Sequence, residues 1–566
     1  MSAYANAYAV SLSKYVNTGL FALFTILSYA GFLIRGRVSR RAVEIIQQLL
    51  LAAFLANGNI TIAWFVRKNG QSGAAARNLC LLCAMEILFL ISFMVLYRIV
   101  HEMADMALFN NICMLLSVGF VIIARIALYN GSELQKNEPI KQFVIASAGL
   151  LIMLIIPFFR KIFDSMRHLW LIFGGIGIVS LAGVLLLSQA TNGAMITYTL
   201  AGFTFQPSEF VKILFILMLA GLLSGEVTVG RALVASGASL VHVGILVLSR
   251  DLGSALIFFV VFLMMLFLAS GRWSVIFTGL VLGALGSIFC YRRFYHVMIR
   301  IMVWRDPFAL IQNEGFQIAQ SLFAISYGGP WGAGLTQGAP DRIPFVESDF
   351  IVSAIIEEMG MVFGVLLLLV CINCFLRILM LSASYSNRFF QLFTYGAGVC
   401  YIFQTFLTVG GETKFIPLTG VTFPLVSYGG SSVLSTLIML GIVQMVFILH
   451  EERTAQFMER YELEHSGEGF SGPLEMSGSQ DFGSGDYSGS EGDASGGYAG
   501  YGPAEGPSYS FKEEDLPENF PVNGVSEEGI FDDYSGTYDY EDRDLSEEGH
   551  PETDRFGFYH AGRLRD

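Results

Sequence analysis

Charge is scarce in this chain. Only 14% of its 566 residues are Asp, Glu, Lys or Arg, while 54% are hydrophobic. That balance, with a mean hydropathy of +0.58, excludes a soluble globular protein. Cysteine is scarcer: seven residues, all in apolar stretches. Cys80/Cys83 and Cys371/Cys374 have the spacing of metal ligands, but each pair lies inside a hydrophobic helix without further ligands beside it. They read as small lipid-phase residues. Met1–Tyr15 lacks the basic and apolar regions and the cleavage site of a signal peptide, so the first spans are expected to remain in the mature protein. No internal repeat is evident, which argues against a repeat-built, ion-coupled transporter.

Long apolar runs are what the chain has in excess. Runs of about 20 residues recur along the first 450 positions, each long enough to cross a bilayer. The pattern predicts an all-α polytopic membrane protein of about thirteen spans, near 17–35, 43–66, 78–98, 108–129, 139–159, 168–188, 207–225, 231–250, 252–270, 273–292, 349–376, 389–409 and 429–449. Basic loops at Arg35–Arg41, Arg160–Arg167, Arg377–Arg388 and His450–Arg460 fall on one side, which is therefore expected to be cytoplasmic. Two basic stretches fall on the other side: Arg67, Lys68 and Arg77, and the segment Tyr291–Arg305. The second leads an external loop, 293–348, long enough to be functional rather than a connector. Its arginines suit phosphate groups or, more simply, anchor to lipid headgroups.

The formal charge of −13 averages two unlike objects. Gly467–Asp566 carries 24 acidic and 5 basic residues, and the rest 29 basic and 23 acidic. The acidic, Gly/Ser/Tyr-rich tail, taken as 451–566, is expected to be disordered and cytoplasmic. No nucleic acid is expected among the partners.

Four segments carry candidate chemistry. In Phe205–Lys212 (FQPSEFVK), Pro207 fits a helix's first turn, and Glu209 and Lys212 share a helix face. They either orient a polar substrate or form a structural ion pair. In Arg250–Ala255, Asp251 lies near a helix N-terminus and reads as mainly structural. Pro417–Ser432 (PLTGVTFPLVSYGGSS) is broken backbone at membrane depth, tolerated only where it lines a cavity or packs on protein. The fourth runs from Asn313 through Gly328–Leu335 to Gly360, where Asp349, Glu357 and Glu358 enter a continuous apolar helix. Carboxylates so placed are functional candidates.

Taken jointly, QPSEFVK, DLGSA, GFQ-IAQS-AI-GG-GAGL, SDFIV-EEMG and PLTG-FPLVSYGGSS resemble the SEDS family of bacterial FtsW/RodA/SpoVE proteins over about residues 108–450. The resemblance implies a ten-helix core, 108–450, preceded by about three additional spans in 1–107. It implies a multi-pass enzyme of the bacterial cytoplasmic membrane with an external active face. Such an enzyme polymerises lipid II, an undecaprenyl-pyrophosphate-linked disaccharide peptide, beside a class B penicillin-binding protein and among membrane lipid. Asp349 matches the family's aspartate and is the expected general base of an inverting glycosyl transfer. Arg293, Arg300, Arg305 and Arg342 are expected to meet the leaving pyrophosphate. Glu209, Lys212, Gln317, Gln320, Glu358, Ser427 and Ser431 complete the expected substrate-binding set. No protein-bound metal is assigned; a divalent cation, Mg or Mn, is the one cofactor the resemblance leaves room for.

Departures from the family pattern include Gly193–Tyr198 in place of Arg-Trp, Ser249-Arg250 in place of Gln-Pro, Thr408 in place of Asn, and a charged Gly411–Lys414 stretch. They spare Asp349 and leave open division, elongation or sporulation. A lipid-linked precursor flippase is the alternative function. Taken alone, Asp349 reads equally well as an N-cap carboxylate.

Overall fold

The computed structural model describes residues 2–34, 37–68, 73–129, 138–187, 198–200 and 203–465. The acidic region from 466 onward, and the departure at Gly193–Thr197, lie outside the described residues. The described residues are helical almost throughout. In order come α1 (Ser2–Ala30), α2 (Arg37–Lys68), α3 (Gly73–Val100), α4 (Met106–Tyr129), α5 (Glu138–Ile155), a short α6 (Arg160–Phe163) and α7 (Trp170–Leu187). A two-stranded antiparallel hairpin follows, β1 (Tyr198–Leu200) on β2 (Phe203–Phe205), with Tyr198 opposite Phe205. Then come α8 (Pro207–Leu223), α9 (Val229–Leu248), α10 (Leu252–Ser270), α11 (Trp273–Arg293), α12 (Tyr295–Arg305), α13 (Phe316–Gly328), α14 (Ile351–Met359), α15 (Met361–Ser384), α16 (Arg388–Glu412) and α17 (Gly430–His465).

Twelve of the described helices are long and apolar enough to cross a membrane. The predicted span at 207–225 forms α8, which at 17 residues sits at the short limit for crossing. Its start follows the sequence: Gln206 is extended, and Pro207 occupies the first turn without losing a needed donor.

Three expectations are corrected. The span expected at 349–376 is not continuous. It breaks at Gly360, whose φ of +93° and ψ of 164° belong to glycine alone. The segment 329–334 splices the break by backbone hydrogen bonds: Ala333 and Gly334 N–H donate to the carbonyls of Glu357 and Glu358, while Met361 and Val362 N–H donate to those of Gly329 and Pro330. Second, the 293–348 loop is largely structured, holding α12, α13 and a 3₁₀ turn at Pro340–Arg342. Third, α17 continues to His465, so the first residues of the expected tail are helical.

Water drives little between helices in lipid, so packing and polar ties decide which helices meet. Of the additional helices, α1 and α2 are tied to the rest by both. Phe21 and Phe54 pack on Phe363 of α15 at ring distances of 4.5 and 6.0 Å. Asp105 caps α4 through the N–H groups of Ala107 and Leu108, and pairs with Arg377 of α15 at 3.0 Å. Arg377 also donates to the Ser28 carbonyl, and Ser28 Oγ donates to Asn111 of α4. Phe93 of α3 stacks on Phe109 of α4 at 6.1 Å, so all three helices are built into the same bundle.

Gly360→Ala tests the splice. A Cβ there would lie 2.5 Å from Gly332 N and Pro330 O, and the backbone conformation would be strained as well. The expected cost is at least about 1–3 kcal/mol, read as a lower unfolding midpoint in detergent. An unchanged midpoint would mean the splice carries no stability.

Candidate active site

Asp349 is half-buried, two residues ahead of α14. Its N–H donates to Phe345 O at 2.9 Å, and Phe345 itself adopts φ of +58°. The N-cap position belongs to Phe350, which makes no side-chain cap. The capping carboxylate comes instead from Glu412, at the end of α16. It accepts from Ser353 N–H at 2.7 Å, Ser353 Oγ at 2.9 Å and Val352 N–H at 3.4 Å. Glu412 is completely buried. Ser321 of α13 completes the joint, within 2.6 Å of Ser353 Oγ and 3.0 Å of the Glu412 carbonyl. Asp349 is thus relieved of the capping role that could equally have explained it. Sequence reasoning marked Glu412 only as an atypical charge; a carboxylate at a helix end facing a Ser-containing helix start was the available signal.

The broken segment 417–432 packs against Asp349. Ser427 Oγ donates to Ser348 O at 2.6 Å and Tyr428 N–H to Glu347 O at 2.8 Å, which fixes the residues just before it. Gly420, with φ of +70°, lies beside the Asp349 carboxylate; a Cβ there would be 3.7 Å from Oδ2. Arg300 of α12 reaches over the same segment, donating through Nη1 to the carbonyls of Leu418 and Thr419 at 3.2 Å each. Burial lowers the Arg300 pKa, and the neighbouring carboxylates of Asp251 and Asp349 offset part of that effect. Burial pushes the Asp349 carboxyl above the ordinary carboxylate range, while a hydrogen bond from Ser348 and the Arg300 charge pull it back.

Asp251 is structural, as its position suggested. It caps α10 through Ser254 N–H at 3.0 Å and accepts from Ser208 Oγ at 3.2 Å, so it holds the start of α8 against the start of α10. Ser431 Oγ accepts from Gln206 N–H at 3.0 Å and ties α17 to that start. Glu209 and Lys212 pair at 2.8 Å within the bundle, each 5% exposed. Lys212 also donates to Gln404 at 2.7 Å, and Ser435 donates to Glu209. Glu358 pairs at 2.8 Å with Arg125 of α4, both buried; sequence reasoning did not select Arg125. The structure therefore puts Glu209, Lys212, Glu358, Ser427 and Ser431 in internal ties. Arg293 and Arg305 are exposed at the ends of α11 and α12, and Gln317 is half-buried on α13. Gln320 and Arg342 share the wall of a separate cavity of about 470 Å³.

Among the described residues no three His, Cys, Asp or Glu side chains gather as metal ligands. Asp251 and Glu412 are already committed to helix caps. These side chains do not by themselves make a cation site, and no step below passes through one.

The arrangement is that of a partly buried carboxylate held beside a guanidinium on a rigid, broken backbone. Residues 106–453 match the model of the FtsW/RodA/SpoVE family, described as cell cycle proteins. The chain belongs to the FtsW/RodA/SpoVE family. Because the match begins at residue 106, α1–α3 precede the family domain. Among this member's relatives is the peptidoglycan glycosyltransferase RodA of Mycobacterium tuberculosis, 34% identical over 363 residues, covering 60% of this chain and 77% of the relative. The probable peptidoglycan glycosyltransferase FtsW of Aeromonas salmonicida is 31% identical over 366 residues, covering 61% and 90%. A chain from a solved peptidoglycan synthase complex, concerned with coordinating polymerization and crosslinking, superposes with a TM-score of 0.53 at 26% identity, covering 61% of this chain and 98% of that one.

Removing the Glu412 cap leaves buried donors of α14 unsatisfied. Glu412→Ala is expected to cost about 1–2 kcal/mol, with Glu412→Gln, which keeps an acceptor, costing less. Equal unfolding midpoints for wild type and Glu412→Ala would remove the cap from this account.

Proposed function

We propose that this family member polymerises lipid II by inverting glycosyl transfer, with Asp349 as the general base. The observation that carries the proposal is the Asp349 carboxylate, freed from capping by Glu412 and set beside the Arg300 charge. The chain is a multi-pass peptidoglycan glycosyltransferase of cell-wall synthesis, as its family domain and its RodA and FtsW relatives establish. The finer mechanism rests on the site.

A base must be ionised and within reach of its proton. Burial raises the Asp349 pKa, which strengthens the carboxylate as a base, and the Ser348 hydrogen bond and the Arg300 charge limit that rise. It would take the proton from the 4-hydroxyl of the acceptor sugar while that oxygen attacks the anomeric carbon of the donor. The bond from that carbon to the α-linked undecaprenyl diphosphate breaks on the opposite face. The new bond is β-1,4, and the diphosphate carries away the electron pair. Arg300 would oppose the growing negative charge, where a fixed charge is most effective.

The transport alternative requires polar groups that can exchange partners along a path. Here three pairs of charges in the bundle are matched within the protein: Glu209 with Lys212, Glu358 with Arg125, and Asp105 with Arg377. That pattern supports a fixed scaffold with chemistry at one end. We assign the active face to the outside of the bacterial cytoplasmic membrane, following the loop charges. We assign the partner as a class B penicillin-binding protein, since the superposable relative works in a complex that couples polymerization to crosslinking.

Purified protein supplied with lipid II tests the assignment. Asp349→Asn is expected to fold and to lose at least about 100-fold in rate; substantial residual polymerisation would end the general-base role. The pH profile tests the pairing with Arg300. The base works deprotonated, so the rate falls on the acid side of the Asp349 pKa. Arg300→Gln removes a charge that lowers that pKa, so the acid limb should move to higher pH, and Arg300→Lys should move it less. An acid limb that stays in place in both variants would disconnect Arg300 from Asp349.

A further inference from the structure

The far end of α14 carries a second polar recess that the chemistry at Asp349 does not use. A cavity of about 470 Å³ opens between α13 and the 337–343 segment, lined among others by Gln320, Tyr327, Gln337, Arg342 and Glu357. A neighbouring cavity of about 410 Å³ shares Tyr327 and Gln337 with it. Its opposite wall is α1, through Val10, Ser11 and Lys14. That helix precedes the family domain, so this wall belongs to the additional helices.

Glu357 is the informative residue. It is 5% exposed, and its Oε1 accepts from Ala339 N–H at 2.8 Å. Its Oε2 is buried and, among the described residues, has no hydrogen-bond partner. Leaving such an acceptor unmatched is costly, so the recess is built for a donor. An acyl chain has none to give, and neither has an ionised diphosphate, so Arg342 in the same wall does not by itself make this a phosphate site. Sugar hydroxyls and acetamido N–H groups meet the requirement. The remaining lining agrees: two amide side chains able to donate and accept, and the ring of Tyr327, 66% exposed at the junction of the two cavities.

The wall from α1 is firmly set. Lys14 Nζ donates to Gly332 O at 2.7 Å, and Tyr15 packs on Trp331 at 5.9 Å between ring centroids. Gly332 belongs to the segment that splices the break at Gly360, so α1 grips the same backbone that fixes α14. From Ile351 to Glu357 the helix rises roughly 9 Å, so the recess lies at the other end of α14 from the reacting centre.

We propose that these joined cavities bind the glycan strand itself, an oligomer of N-acetylated amino sugars, with Glu357 accepting a hydroxyl or amide hydrogen, Tyr327 stacking on a sugar ring and Lys14 of α1 closing the site. The proposal rests on the polymerase reading and adds a product-holding site to it. Holding the strand near Asp349 favours further addition over release, so the site sets strand length rather than the rate of each transfer.

Two measurements test it. The first is binding of a chitin-type tetramer of N-acetylglucosamine to the full chain in detergent, followed calorimetrically, and it needs no catalysis. Wild type should bind, and Glu357→Gln, Tyr327→Ala and Lys14→Met should each weaken binding at least fivefold, while Asp349→Asn should bind as wild type does. Wild type that does not bind, or variants that all bind equally, would overturn the proposal. The second is strand length made from lipid II. Glu357→Gln and Tyr327→Ala should consume lipid II within twofold of the wild-type rate yet give strands at least twofold shorter; wild-type lengths from both would also overturn it. Failure of the polymerase reading looks different, as an Asp349→Asn protein with full activity or a wild type that binds the tetramer but never polymerises.

Discussion

The buried carboxylate of Glu412 holds the start of α14, and the rest of the site depends on that contact. A short helix inside protein leaves its first N–H groups without partners, and these must be met by something. Glu412 meets Val352 and Ser353 from α16, and Ser321 of α13 closes the joint. Three helices are thereby clamped at one point, and the residue just outside the clamp is Asp349. Had Asp349 done the capping, its oxygens would be occupied by backbone N–H groups and held as a weak base. A carboxylate that takes no part in the reaction leaves its neighbour able to react.

The other end of α14 is held by an equally specific device. Gly360 turns the chain, and the backbone of 329–334 supplies the donors and acceptors that the break exposes. Broken backbone near lipid survives only where protein satisfies it. The same logic explains 417–432, whose hydrogen bonds run to the residues beside Asp349 and to Arg300. The site is thus assembled from two irregular segments pinned onto regular helices, which gives rigidity to groups that must not drift.

Charge inside the bundle follows one rule. Each pair, Glu209 with Lys212, Glu358 with Arg125 and Asp105 with Arg377, joins elements distant in sequence or fixes one helix face against its neighbours. A buried pair is weak evidence for stability, since desolvation offsets much of the attraction, but it sets which helices can meet. The Asp105–Arg377 pair also bonds to Ser28 of α1, so the additional helices share in that specification.

The sequence alone determined the class, the motifs and all the spans but the one broken at Gly360, because hydropathy is a local property and a bilayer imposes a fixed length on each crossing. It also singled out Asp349 and the arginine-rich segment, since charge beside an apolar run is visible without coordinates. Only the tertiary structure decided which of those charges are matched. Glu358 reads like Asp349 until Arg125, more than two hundred positions earlier, is seen against it. Glu412 reads as a stray charge until the first turn of α14 arrives beneath it. The break at Gly360 is hidden in an apolar run, because the splice that stabilises it comes from another segment. Partnership between distant residues is set by packing, and no local pattern encodes it.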